Sequence, residues 1–314
     1  MSRWTADDIP DQSGRRVVIT GANSGLGLES ATQLARRGAE VILACRDPAR
    51  GAAALATVRA AATGVAPSLI ALDLADLESV AAAASEIASR WPSIDVLMNN
   101  AGLMAIPERQ TTAQGYEMQF GVNVLAHTAL TLRLLPSLLA APAPRVVALG
   151  SIMHLFGTIN FDDLMFERRY SAWPVYSQSK LANVMFALEL DRRAKAAGLP
   201  LRAIAAHPGY SATQLQSTGP LDGGRPLARI SGRIGALATP LIGQPARMGA
   251  LGQLRAATDR SLRGGEYVGP TSWAQLRGYP VVFAPSRRAR DVPAAARLWE
   301  HQEQLLGLTF AGQL

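Results

Sequence analysis

Six short aliphatic runs recur along the chain: RVVIT (16–20), AEVILAC (39–45), SLIALDL (68–74), IDVLMNN (94–100), RVVALGS (145–151) and RAIAAHP (202–208). Longer Ala- and Leu-rich amphipathic stretches lie between them, expected as helices over 28–37, 48–62, 77–90, 112–139 and 176–197. Strands alternating with helices of that length build a parallel sheet covered on both faces. A further short strand is expected over 265–269, GEYVG. No break in composition divides the chain, so the expectation is a single doubly wound α/β domain over 1–314 with a sheet of about seven strands. In this reading 1–13 is an N-terminal arm, 210–250 a Gly-, Pro- and aliphatic-rich insertion on the substrate side, and 270–314 a C-terminal extension.

Composition narrows the class. With 314 residues, 48% of them hydrophobic and 18% charged, a sizeable packed core is available. The single cysteine, Cys45, excludes a disulfide framework and a cysteine-rich metal site and suits a reducing compartment. The opening MSRWTADDIPDQSG carries acids and a proline where a signal peptide needs an apolar core, and no apolar run reaches membrane-spanning length. A soluble, cytoplasmic protein without an integral membrane segment is therefore expected. The net charge of +7 could attract nucleic acid, anionic lipid or a phosphorylated ligand. Arginines, however, come scattered, some in pairs such as Arg36-Arg37, Arg168-Arg169 and Arg192-Arg193, often beside acids at helical spacing, and only RRAR at 287–290 is dense. A solvated surface accounts for that distribution better than a nucleic-acid partner. His127, His207 and His301 read as structural and His154 as a pocket-wall or loop residue, with no spacing of histidines and carboxylates that suggests a metal.

Open sheets bind ligands beyond the carboxyl ends of their strands. After the first strand comes TGANSGLGLES, in which Gly21, Gly25 and Gly27, with Ser24 and Leu26 between them, are spaced to bring backbone N–H groups against a pyrophosphate at a helix N-terminus. The second strand ends LACRDPAR. Arg46 stands where a guanidinium would hold a 2′-phosphate, with Arg50 one turn later, while Asp47 caps the next helix ahead of Pro48. This favours NADP(H), with NAD(H) as the alternative. Asp73 at the end of the third run is placed for the adenine or as a helix cap, and Leu74 for a backbone contact. NNAG, 99–102, brings Asn100, Ala101 and Gly102 against the glycine turn.

Lysine is scarce: of 31 basic residues only Lys180 and Lys195 are lysines. Lys180 lies four residues after Tyr176, so the two share a helix face. A phenol with a pKa of about 10 is a poor base near neutrality, and a neighbouring ammonium lowers it. Lysine also offers a compact cation with three donors that can reach ribose hydroxyls, a role arginine's planar fork does not fill.

Glycine turn, NNAG and YxxxK, in this order on a Rossmann sheet, resemble the short-chain dehydrogenase/reductase family. TGANSGLG, ACRDPARG, YSQSKLANVMFALEL, HPG and GGEYVGP are similar to its branch of retinol dehydrogenases and their bacterial relatives. The resemblance is close over 14–209 and looser beyond. It implies a catalytic tetrad of Asn123, Ser151, Tyr176 and Lys180. Ser151 would hydrogen-bond the substrate oxygen, Tyr176 exchange its proton, and Asn123 hold a water linking Lys180 to solvent. Pro208, Gly209 and Thr213 would contact the nicotinamide. Two features depart from the family: Gly150-Ser151 replaces a serine pair, and Tyr176 comes 25 positions after Ser151. Met153, Leu155 and Phe156, with Tyr210, Leu215, Ile230, Ile234 and Leu237, would wall an apolar pocket.

The expected activity is hydride transfer between a nicotinamide and a carbonyl or alcohol of a bulky lipophilic small molecule. The other class that fits is a catalytically silent dinucleotide-binding sensor or scaffold, and a homo-oligomer is compatible with either.

Overall fold

The computed structural model describes residues 3–210, 244–272 and 275–314. The expected position of Thr213, and those of Leu215, Ile230, Ile234 and Leu237, lie outside the described residues. The first half alternates as the sequence dictates: β1 Arg16–Thr20, α1 Gly25–Arg36, β2 Glu40–Cys45, α2 Pro48–Ala61, β3 Ser68–Ala71, α3 Leu77–Arg90 and β4 Val96–Asn99. Asp47 caps α2 by accepting from the Arg50 N–H at 2.9 Å, and Pro48 opens the helix where its missing N–H costs nothing.

Among the described residues the sheet has eight strands, close to the expected seven, in the order β3-β2-β1-β4-β5-β6-β7-β8. β5 is Arg145–Leu149, β6 Arg202–Ala206, β7 Tyr267–Pro270 and β8 Pro280–Phe283. All pair in parallel except β8, which runs antiparallel to β7 at the edge. Successive residues of a strand point to opposite faces, and the core follows that rule. Val18, Ile42, Leu97 and Val146 join the cluster on one side of the sheet, whereas Val17, Ile19, Val41, Met98 and Val147 join the other. The chain reverses its strand order between β1 and β4, so the ends of these two neighbours form the crevice where ligands of open sheets bind.

The helix expected over 112–139 is interrupted. It begins at Met118 and consists of α4 Met118–Phe120, a π turn Gly121–Leu125, α5 Ala126–Arg133 and α6 Leu135–Leu139. Glu117, fully buried, caps α4 by accepting from the Gln119 and Phe120 N–H groups. The break falls at Leu134, and Pro136, which lacks an N–H, is the second residue of α6, where no helical partner is needed. The helix bearing Tyr176, α7 Ala172–Ala196, starts four residues early, with Pro174 tolerated in a first turn whose N–H groups have no helical partners.

The C-terminal extension holds, after β8, a helix that the strand-and-helix pattern did not single out. Two short helices, α8 Ala246–Gly249 and α9 Leu251–Thr258, precede β7, and α10 Val292–Leu306 closes the fold. Its signals are in the sequence: Asp291 accepts from the Ala294 N–H at 3.0 Å, Pro293 sits in the first turn, and Gly307 ends the helix at φ +61°. α10 lies on α7, where Trp299 stacks on Phe186 with centroids 5.6 Å apart and planes 9° from parallel. Thr128 donates to Gln302 Oε1 at 2.6 Å beneath it. Trp299→Ala should therefore cost about 3–5 kcal/mol in urea unfolding, the usual loss for a buried aromatic. A change below about 1 kcal/mol would mean that α10 is not part of the cooperative core.

Candidate active site

The glycine turn follows β1 directly. Gly21 stands at φ +65°, and a Cβ there would come within 2.9 Å of the Ala101 Cβ. A Cβ on Gly27 would lie 2.5 Å from the Gly21 carbonyl oxygen and 2.6 Å from Asn100 Nδ2. Gly25 is also at positive φ, +54°, and Ser24 caps α1 without a side-chain hydrogen bond. The turn thus presents bare backbone at the start of a twelve-residue helix, which suits an anionic dinucleotide phosphate. Leu26 within it lends its carbonyl oxygen to Gln253 Nε2 at 3.2 Å.

NNAG is tied to the end of β1 through Thr20. The Thr20 hydroxyl oxygen accepts from the Asn100 and Ala101 N–H groups, both at 3.0 Å, and Asn100 Nδ2 donates to the Thr20 carbonyl at 2.8 Å. With both lone pairs occupied, the hydroxyl proton points to His127 Nε2, 2.9 Å away. His127 Nδ1 in turn donates to the Asn123 carbonyl at 3.1 Å. Burial pushes His127 down to about 4, so the ring is neutral and this tautomer is self-consistent. His127, which reads as structural from the sequence, is brought into contact with the site by the π turn that carries Asn123.

Asn123, Ser151, Tyr176 and Lys180 come together beyond the ends of β4 and β5. Asn123 is fully buried in the π turn, a feature often found at functional positions. Its Oδ1 accepts from the Leu103 N–H at 2.7 Å, and its Nδ2 donates to the Leu103 carbonyl and to Ser179 Oγ at 2.9 Å. Ser179 Oγ donates to the Tyr176 carbonyl at 2.8 Å, which links the π turn to α7. Ser151 opens a 3₁₀ turn, Ile152–Leu155, its Oγ accepting from the Met153 N–H at 3.2 Å. Gly102 abuts both partners: a Cβ there would be 3.0 Å from Asn123 Oδ1 and 3.4 Å from Lys180 Nζ.

The electrostatics differ from the expectation for the Tyr-Lys pair. Tyr176 is 5% exposed and burial pushes its phenol up to about 12, with a hydrogen bond to Ser151 pulling the other way. Lys180 does not offset this. Its Nζ donates to the Leu149 carbonyl at 3.0 Å, alongside Asn183 Nδ2 at 3.1 Å, and lies 5.8 Å from the centroid of the Tyr176 ring. Burial brings Lys180 itself down to about 8. Desolvation outweighs attraction for both groups in this arrangement.

The remaining expected cofactor residues are distributed around the same edge. Arg46 is exposed just past β2. Asp73 Oδ1 accepts from the Ala75 N–H at 2.9 Å, and the cap of α3 is Asp76, which corrects the reading of Asp73 as the helix cap. Leu74 is buried beside it. Pro208 and Gly209, the latter at φ +67°, turn the chain after β6. Of the apolar residues after Ser151, Leu155 and Phe156 are exposed, Phe156 by 71%. Gln178 fastens the segment between Ser151 and Tyr176, accepting from the Asn160 N–H at 2.8 Å and donating to the Leu164 carbonyl at 3.0 Å. Among the described residues no cluster of three or more His, Cys, Asp or Glu could hold a metal, and no helix is long and apolar enough to cross a membrane.

A buried lysine that is charged below its folded pKa costs stability. Between about pH 8 and 10.5 the folded chain sheds the Lys180 proton while the unfolded chain keeps it, so parental stability rises through that window. Lys180→Met should accordingly be more stable than the parent at pH 7, by up to roughly 3 kcal/mol, since Asn183 still serves the Leu149 carbonyl. Urea midpoints should show that advantage shrinking by pH 9.5. A destabilised Lys180→Met at pH 7 would contradict the account.

The sequence matches the short chain dehydrogenase family over residues 15–221. It is 37% identical over 296 residues to Retinol dehydrogenase 13 of Homo sapiens, spanning 94% of this chain and 85% of that protein. A short-chain dehydrogenase/reductase of Armillaria gallica is 36% identical, with 96% and 93% covered. A solved Mycobacterium paratuberculosis protein superposes with a TM-score of 0.80 at 43% identity, covering 98% of this chain and 99% of that one. A Shigella flexneri short chain dehydrogenase solved in complex with NADP superposes with a TM-score of 0.61 at 25% identity, covering 81% and 95%. This chain belongs to the short chain dehydrogenases and is an oxidoreductase of that family.

Proposed function

We propose that the protein is an NADP(H)-dependent oxidoreductase that transfers a hydride between the nicotinamide and a carbonyl or alcohol of a bulky lipophilic substrate, in a cytoplasmic setting. The observation that carries this reading is the meeting of Ser151, Tyr176 and Lys180 beside Asn123, at the crevice onto which the glycine turn opens. The dinucleotide, when bound, supplies or accepts the hydride. Backbone of Gly21, Ser24, Gly25, Leu26 and Gly27 would hold its phosphates, Asp73 and Leu74 its adenine, and Pro208, Gly209 and Thr213 its nicotinamide end. Arg46, exposed where an acid would select NAD(H), would pair with a 2′-phosphate. The Shigella flexneri relative in complex with NADP supports that cofactor.

The chain's own residues perform the proton chemistry in this reading. Tyr176, a neutral phenol well above physiological pH, donates its proton to a substrate oxygen that Ser151 Oγ holds by a second hydrogen bond. Lys180, an ammonium whose pKa burial lowers to about 8, reloads the phenol and binds ribose hydroxyls, with Asn123 holding the π turn against α7. Met153, Leu155, Phe156 and Tyr210 offer apolar surface to a lipophilic substrate, and the retinol dehydrogenases among the relatives are in keeping with that class.

NADPH oxidation measured against a panel of aliphatic, steroidal and terpenoid ketones and aldehydes should find turnover. Tyr176→Phe and Lys180→Arg should each lower it on the order of a hundredfold, the scale of losing a positioned acid-base group, with cofactor binding retained in Tyr176→Phe. Parental turnover in a folded, cofactor-bound Lys180→Arg protein would overturn the mechanism. Titrated separately, NADPH should bind more tightly than NADH, and Arg46→Asp should reverse or abolish the preference. Equal affinities in the parent would remove the assignment of Arg46.

A further inference from the structure

Behind Ser151 lies a stack of three buried rings that the reaction itself does not use. The Ser151 carbonyl oxygen accepts from His154 Nδ1 at 2.7 Å and from the His154 N–H at 3.1 Å. A carbonyl can only accept, so Nδ1 carries the ring proton. Burial holds His154 below its ordinary pKa, the ring is neutral, and its Nε2 is left as a buried lone pair with no partner among the described residues. The Tyr267 hydroxyl oxygen, from β7, stands 3.2 Å from the same Nδ1 and accepts a share of its proton, its ring edge-on to the imidazole at 4.9 Å and 62°. His207, at the end of β6, stacks on the far face of the network, its ring 5.2 Å from Tyr267 and 12° from parallel. Neighbouring glycines leave room for the stack: a Cβ on Gly269 would collide with the His207 ring, and one on Gly150 would lie 3.1 Å from Val184 and 3.6 Å from the Tyr267 ring. A side chain at 150 would need the Val184 methyl to give by a few tenths of an ångström.

A leucine at 154 would fill this space without burying an unpartnered nitrogen, so packing alone does not account for a histidine there. We infer that His154, braced by Tyr267, is a positioning residue that fixes the main chain of Ser151 and so aims its Oγ at the substrate oxygen. The inference rests on the role proposed for Ser151. The clamp sets the 3₁₀ turn from behind: with the carbonyl held twice, the Ser151 Cα–Cβ bond has one direction, while the side chain keeps its own bond to the Met153 N–H.

The test compares Ser151→Ala, His154→Leu, His154→Asn and Tyr267→Phe by kcat, KM and NADPH affinity. His154→Leu should lower kcat on the order of tenfold or more, as a slightly misplaced group does, with NADPH affinity unchanged within about twofold. His154→Asn, whose amide nitrogen approximates the position of Nδ1, should restore most of the rate, and Tyr267→Phe should lose about two- to tenfold in kcat. Histidine-labelled 15N spectra of the parent should give His154 as the neutral Nδ1–H tautomer, a readout independent of activity. A His154→Leu enzyme with parental kcat, equal losses in the Leu and Asn variants, or an Nε2–H tautomer would each overturn the inference. A silent Ser151→Ala would instead overturn the role of Ser151. If His154→Leu fails to fold, the tautomer and Tyr267→Phe decide.

Discussion

The pairing of β1 with β4, rather than with β3, on the edge opposite β2 is the constraint on which the rest depends. It sets the polar ends of two buried strands side by side, the end of β1 at Thr20 and the end of β4 at Asn99. Backbone groups just beyond a strand end lose their ladder partners and must find others. Here the fully buried Thr20 hydroxyl serves two of them, the N–H groups of Asn100 and Ala101, and donates its own hydrogen bond to His127 Nε2. One side chain thereby joins the glycine turn, the NNAG segment and the π turn that carries Asn123. The narrowness of the junction is why Gly21, Gly27 and Gly102 bear no side chains.

Burial governs the chemistry of the site as much as proximity does. Tyr176 and Lys180 are both nearly inaccessible, at 5% and 3%, and desolvation moves each toward its neutral form: the phenol up to about 12, the ammonium down to about 8. The two pKa values are driven apart, in the order that disfavours a phenolate-ammonium pair and suits a neutral phenol as proton donor beside a readily exchanging ammonium. A charged lysine held in such a place destabilises the fold. An arginine-rich chain that keeps its lysine there is carrying a cost whose return lies outside stability.

α10 illustrates how a segment remote in sequence completes this arrangement. By stacking Trp299 on Phe186 and bonding Gln302 to Thr128, it covers the outer sides of α5 and α7, the helices that follow Asn123 and carry Tyr176. Tyr116 adds a hydrogen bond from its hydroxyl to the Leu305 carbonyl at 2.6 Å. The two helices are thus held from without by apolar area and from within by the Asn123-Ser179 contact.

The sequence by itself determined the alternation of elements, the crevice at the strand ends and the candidate residues, because these rest on local rules: hydrophobic runs, glycine where φ turns positive, and a four-residue helical spacing for Tyr176 and Lys180. It also held the signals for α10, in Asp291, Pro293 and Gly307. Only the tertiary structure decided the rest. The break of the 112–139 helix into a π turn, the assignment of the α3 cap to Asp76, and the grouping of Thr20 with His127 and of His154 with Tyr267 all involve partners set by packing. The Tyr176 and Lys180 pKa values belong to the same class, because a side chain's desolvation depends on everything folded around it and not on its neighbours along the chain.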